Sequence, residues 1–125
     1  MAVETIPEDR PATEAEAAIT RWMLQNASQA GDLSDLEPSL IDLRVVGRCS
    51  CGCPSIDFVA GGQASGASPV ANAHGTTADG VQVGMILWER DAAVSALEFY
   101  ELGESIHSLP LVESLIAWPP AGASS

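Results

Sequence analysis

Val81-Gln82-Val83-Gly84-Met85-Ile86-Leu87-Trp88-Glu89, joined through Arg90-Asp91-Ala92-Ala93 to Val94-Ser95-Ala96-Leu97-Glu98-Phe99-Tyr100-Glu101-Leu102, is the stretch whose reading decides the fold. Its first run is rich in residues that suit a pleated, half-buried backbone. Side chains alternate across a strand, so Val81, Val83, Met85 and Leu87 share one face while Ile86 and Trp88 share the other. Both faces are apolar, which predicts a central strand covered at least in part on each side. In the second run Leu97 and Phe99 alternate with Glu98 and Tyr100. The short connection between the runs predicts an antiparallel hairpin. Glu98 reads as part of a solvent face; placed inward beside Arg44 or Arg48, it would become a candidate functional carboxylate.

Upstream, Thr13-Glu14-Ala15-Glu16 has the form of a capping box, with Thr13 and Glu16 satisfying each other's backbone amides. Ala15, Ala18, Ile19, Trp22 and Met23 then follow the spacing of one buried helical face. The pattern predicts a helix over residues 13–30 that Gly31 stops in the left-handed conformation, with Trp22 anchoring it to a sheet. Residues 1–12, acidic and carrying two prolines, read as a flexible tail. Strand character begins near Leu40, with Ile41, Leu43 and Val45 pointing one way, and a second strand is expected from Ser55 to Ala60. A Gly/Ala/Ser-rich connection near 61–80 reads as flexible, interrupted by a weak strand at Val70–His74. Leu109 to Trp118 has room for one helical turn, and 119–125 reads as a second flexible tail. The sum is a single α+β domain over 13–118. One N-terminal amphipathic helix packs on a four- to five-stranded, mostly antiparallel sheet.

Length and composition bound what such a domain can do. At 125 residues the chain fits one domain, and 46% hydrophobic residues suffice for one core. Seventeen acidic residues face five arginines and no lysine, a net charge of −12. A polyanion is repelled by such a surface, so nucleic acid and anionic lipid are set aside as partners. No apolar run is long enough for a membrane span, and the first residues are acidic rather than signal-like, which leads us to expect a cytoplasmic protein. The plain reading of the charge is that it keeps a small protein soluble. The sharper one is a decoy or inhibitor for a basic partner, so the expected partner is another protein, a basic one among the candidates.

All three cysteines fall at alternating positions in Arg48-Cys49-Ser50-Cys51-Gly52-Cys53-Pro54, between two strand-like runs. On an extended backbone Cys49, Cys51 and Cys53 share a face. Three readings follow. Free cysteine packs as a small hydrophobe, and the face of Ile41, Leu43 and Val45 continues in register to Cys49 and Cys51. Three thiolates could instead hold a soft ion such as zinc or copper, with His74 as the distant fourth ligand. A thiol nucleophile, activated by Arg48 or His74, is the third. The spacing is not that of a zinc knuckle. Phosphate loops, dinucleotide fingerprints, zinc-protease and serine-hydrolase motifs are all absent from the sequence. The balance favours a non-enzymatic protein-binding, accessory or inhibitory module, with the thiolate metal site as its alternative.

The segment Val46-Gly47-Arg48-Cys49-Ser50-Cys51-Gly52-Cys53-Pro54-Ser55-Ile56, then Gly84-Met85-Ile86-Leu87 and Ser95-Ala96-Leu97-Glu98-Phe99-Tyr100, resembles a group of small uncharacterised bacterial proteins. They are similar in carrying a C-G-C-P-S segment ahead of a hairpin with an L-E-x-Y strand. The resemblance spans roughly residues 40–102. It implies the same hairpin placement and a shared cysteine segment, and it brings no activity, cofactor or site residue with it.

Overall fold

The computed structural model describes residues 5–27, 34–50, 52–64 and 66–118. Its centre is the expected hairpin. Strand β5 (Gln82–Arg90) and strand β6 (Ala93–Glu101) pair antiparallel through a two-residue loop, Asp91-Ala92. Both loop residues hold positive φ, 53° and 63°, the twist that matches paired strands. The sheet grows outward to the order β1-β2-β3-β6-β5-β4-β7. The remaining strands are β1 (Thr5–Pro11), β2 (Arg44–Cys49), β3 (Ile56–Asp57), β4 (Ser68–Thr76) and β7 (Ile116–Ala117). Every pairing is antiparallel.

The α+β class stands, but the sheet has seven strands rather than four or five. The two extra strands lie at the edges. β1 forms where a flexible tail was expected. Its prolines, Pro7 and Pro11, are tolerable because an edge strand does not need every amide in a ladder. A register shift between Pro7 and Arg10 accommodates the irregularity. β7 follows a single helical turn at Val112–Ser114 and pairs with β4 at Ala73 and His74. β4 is nine residues long and β3 only two, against the expected five and six.

The helix α1 (Glu14–Asn26) starts as its capping box predicts, with both reciprocal bonds present. The predicted stop at Gly31 lies outside the described residues. Ile19 and Met23 on the helix and Val83, Met85, Leu87 and Leu97 on the sheet are completely buried together. Ile41 is 74% exposed, because Ser34–Leu40 coils as a 3-10 helix and Asp42 turns through positive φ before β2 begins. The core therefore sits between α1 and one face of the sheet.

Among the described residues the opposite face carries no helix. Its residues follow from the register. Tyr100 lies opposite Gly84, and Gly84 opposite His74; Glu98 faces Ile86, and Ile86 faces Asn72; Trp88 faces Ala96, and Ala96 faces Asp57. Trp88, Ile86, Tyr100, Asn72 and His74 are all half-buried. The Tyr100 ring lies against the Gly84 backbone: a side chain there would begin 2.1 Å from its Cζ. Its hydroxyl reaches Asn72 Oδ1 at 3.3 Å.

Candidate functional site

At the β3–β6 end of this open face the chain builds a cleft of about 610 Å³. One wall is the segment 58–64, and its position has a local cause. Trp88 pairs with Ala96 and Glu89 with Val94, so Ser95 is the extra residue of a bulge. Its carbonyl, released from the ladder, accepts from Phe58 N at 2.8 Å and Val59 N at 3.3 Å. Its hydroxyl donates to Gly62 O at 2.7 Å. Arg90 Nη1 donates to the carbonyls of Ala60 and Gly61. Gly62 comes so close that a Cβ there would stand 2.1 Å from Ser95 O and 3.0 Å from Ala96 Cβ. The wall is thus seated on the open face.

The floor and the far side carry the charged groups. Asp57 on β3 and Glu98 on β6 both line the cleft. Ala96 lies directly across from Asp57 and two residues before Glu98, so the two carboxylates are diagonal neighbours on one face. Trp88 Nε1 donates to Glu98 Oε1 at 3.1 Å and orients it. The Asp57 carboxylate forms no hydrogen bond or ion pair among the described residues. Burial, with nothing to offset it, pushes its carboxyl above the ordinary value of 3.8. Gly47 opposite Asp57 leaves a gap that the Thr5 methyl fills.

Arg48 also lines the cleft, but its charge is directed elsewhere. Arg48 Nε meets Glu8 at 2.8 Å, Glu8 meets Arg10 Nε at 3.4 Å, and Arg10 grips Glu16 with two bonds of 2.8 and 2.9 Å. Glu16 accepts a third bond, 2.8 Å, from the Thr13 amide. Burial alone would raise the Glu16 carboxyl; the Arg10 bonds and the Thr13 amide outweigh it and hold it below its ordinary value.

The cysteine bend closes the near end. Gly52 turns at φ 90°, and the Cys49 amide donates to Ser55 O at 3.1 Å. The Ser55 hydroxyl accepts from Phe99 N at 2.8 Å and donates to Phe99 O at 3.2 Å, completing the ladder where β3 stops. Cys53 Sγ donates to the same hydroxyl at 3.4 Å. Cys49 and Cys53 are half-buried and line both this cleft and a smaller one of about 210 Å³ beside Arg10 and Glu16. They are cavity walls rather than members of the hydrophobic core, which departs from the core-filling reading. Cys51 lies outside the described residues.

The structure does not bring His74 to the described thiols, Cys49 and Cys53. β4 stands four strand steps from β2, about 19 Å along the sheet at the usual spacing. The His74 ring packs edge-on against Trp118, with centroids 5.5 Å apart. Among the described residues no group of three His, Cys, Asp or Glu side chains is disposed to hold a metal ion. No helix among them is long and apolar enough to cross a membrane. Glu98 alternates with the buried Leu97 and Phe99 and lies on the face away from the core, in line with the solvent-face reading rather than inward beside an arginine; its half-buried place at the cleft is what makes it a candidate. Asp57 was missed: its neighbour across the ladder was the only signal, and that is a matter of register.

Comparison with known protein families, with curated proteins and with solved structures finds no match to the chain.

Proposed function

We propose that this protein is a non-enzymatic binding module that docks a basic partner protein on the helix-free face of its sheet. One observation carries the reading: that face presents half-exposed Trp88, Ile86 and Tyr100 around the Glu98 carboxylate, beside a cleft holding a second carboxylate. Aromatic residues with large contact area are what protein interfaces concentrate at their centres. The occupant is set by charge. A net charge of −12 on 13.0 kDa repels a second copy of the chain and attracts a cationic surface.

Titration of isotope-labelled protein with a decapeptide of mixed arginine and lysine tests this. The expected response is a set of amide shifts at Asn72, Ile86, Trp88, Glu98 and Tyr100, weakening with salt. Shifts confined to exposed acidic positions such as Glu14, Asp35 and Glu104, with the sheet face silent, would refute it.

A further inference from the structure

Building on that reading, we infer that the cleft between segment 58–64 and the β3–β6 ladder is a receptor for a single arginine side chain of the partner, held by Asp57 and Glu98. The cavity's size favours a side chain over an ion. At about 610 Å³ it lies in the range of pockets that take organic groups, far above the roughly 30 Å³ of one water.

Its chemistry selects a donor-rich cation. Asp57 has both oxygens uncommitted among the described residues. Glu98 spends one oxygen on the Trp88 indole, which fixes the carboxylate and leaves the second. Gln63 on the wall and Thr5 also line the cleft. A guanidinium carries five donors in a planar fork and no acceptor, so it matches a cleft in which acceptors predominate. An ammonium places three donors around one point and is more strongly hydrated, which makes it the poorer occupant of a site with two separated carboxylates.

The protein does not fill this role itself. Arg48, the one cationic side chain lining the cleft, is paired with Glu8. Arg10 is bound to Glu16, Arg44 to Asp9, and Arg90 to the carbonyls of Ala60 and Gly61. The cleft therefore keeps its negative charge uncompensated, and an incoming guanidinium gains most where that charge is already half-desolvated.

The test compares two uncharged-background pentapeptides, one with a central arginine and one with a central lysine, by shifts of the full-length protein's amide and Trp88 indole signals. The arginine peptide is expected to shift Asp57, Gly62, Gln63, Glu98 and the Trp88 indole, and to bind at least about fivefold more tightly than the lysine peptide. Glu98→Gln, which keeps an oxygen for Trp88, and Asp57→Asn are each expected to weaken it about tenfold. Equal affinity for the two peptides, or an arginine response indifferent to both substitutions, overturns the assignment while the basic decapeptide still binds the sheet face. Silence toward the arginine peptide also overturns it. If the decapeptide is silent as well, the underlying reading falls with it.

Discussion

Replacing Gly62 with alanine is the sharpest perturbation of the cleft, because the added methyl meets backbone. Its carbon would stand 2.1 Å from Ser95 O and 2.9 Å from Ser95 C, where ordinary contact needs about 3.4 Å or more. Segment 58–64 must lift by an ångström or so. Lifting it strains the Phe58 and Val59 bonds to Ser95 O and breaks the buried Ser95 hydroxyl bond to Gly62 O. Overpacking of this kind costs about 1–3 kcal/mol, and the lost bond adds about 1 kcal/mol. For a chain of this length unfolding entropy near 2.1 cal/mol/K per residue converts each kcal/mol to about 4 °C. The expected outcome is a thermal midpoint lowered by about 8–15 °C, read by circular dichroism, and weaker binding of the arginine peptide. Gly52→Ala is the control. It has no atom within 4 Å and carries only the cost of a non-glycine residue at positive φ, about 1–2 kcal/mol. A Gly62→Ala protein that melts within about 2 °C of the parent, with unchanged amide signals over 58–64, would show that the wall is not seated on Ser95.

Glu16→Gln is expected to destabilise the protein by about 1–3 kcal/mol, because it weakens three charge-assisted bonds at a nearly buried site. The folded carboxyl lies below its ordinary value of 4.5, so this contribution is fully present above that pH and is lost as pH falls through the folded value. Urea midpoints measured against pH should show the gap between parent and variant closing below about pH 4.5; a gap constant with pH refutes the pairing. Asp57→Asn should do the reverse and stabilise the unliganded protein at neutral pH. Its raised carboxyl favours the fold only when protonated, a contribution present at low pH and lost as pH rises through the folded value. A variant less stable than the parent at pH 7 would refute the claim that Asp57 is uncompensated.

What could be read from the sequence was what neighbours in sequence decide. Thr13 and Glu16 are three residues apart, and their capping box forms as written. The β5–β6 hairpin was legible from its apolar density and short connection, even though Asp91-Ala92 lacks the glycine that usually marks such a turn. What could not be read depends on partners far along the chain. Thr5–Pro11 looks like a tail because its prolines and charges suit only an edge, and only β2 can offer one. The small residues of this stretch suggest only a weak strand at Val70–His74, and its full span from Ser68 to Thr76 emerges only when β5 pairs along nearly the whole length. The cysteine bend looks in sequence like the chemical centre, yet Cys49 and Cys53 serve as the end wall of a cleft. The polar groups of that cleft, Asp57 and Glu98, are 41 residues apart and meet through the register Asp57 opposite Ala96.

The distribution of arginines argues that the cleft's charge is a property of the fold rather than an accident of an acidic chain. Arg48 lines the same cavity, but it lies across the ladder from Ile56 while Asp57 lies across from Gly47, so the two side chains leave opposite faces and the register offers no ion pair between them. The edge strand β1 supplies Glu8, which holds the Arg48 guanidinium and passes the connection on to Arg10 and Glu16. Each cation along that relay is matched by a carboxylate on the β1–α1 side, and none is left for the cleft. A half-buried carboxylate without a counter-ion costs stability. A fold that holds one open while pairing Arg48 on the other side keeps that unfavourable term available to be relieved by a ligand. On this view β1 belongs to the site, although only its Thr5 touches the cavity.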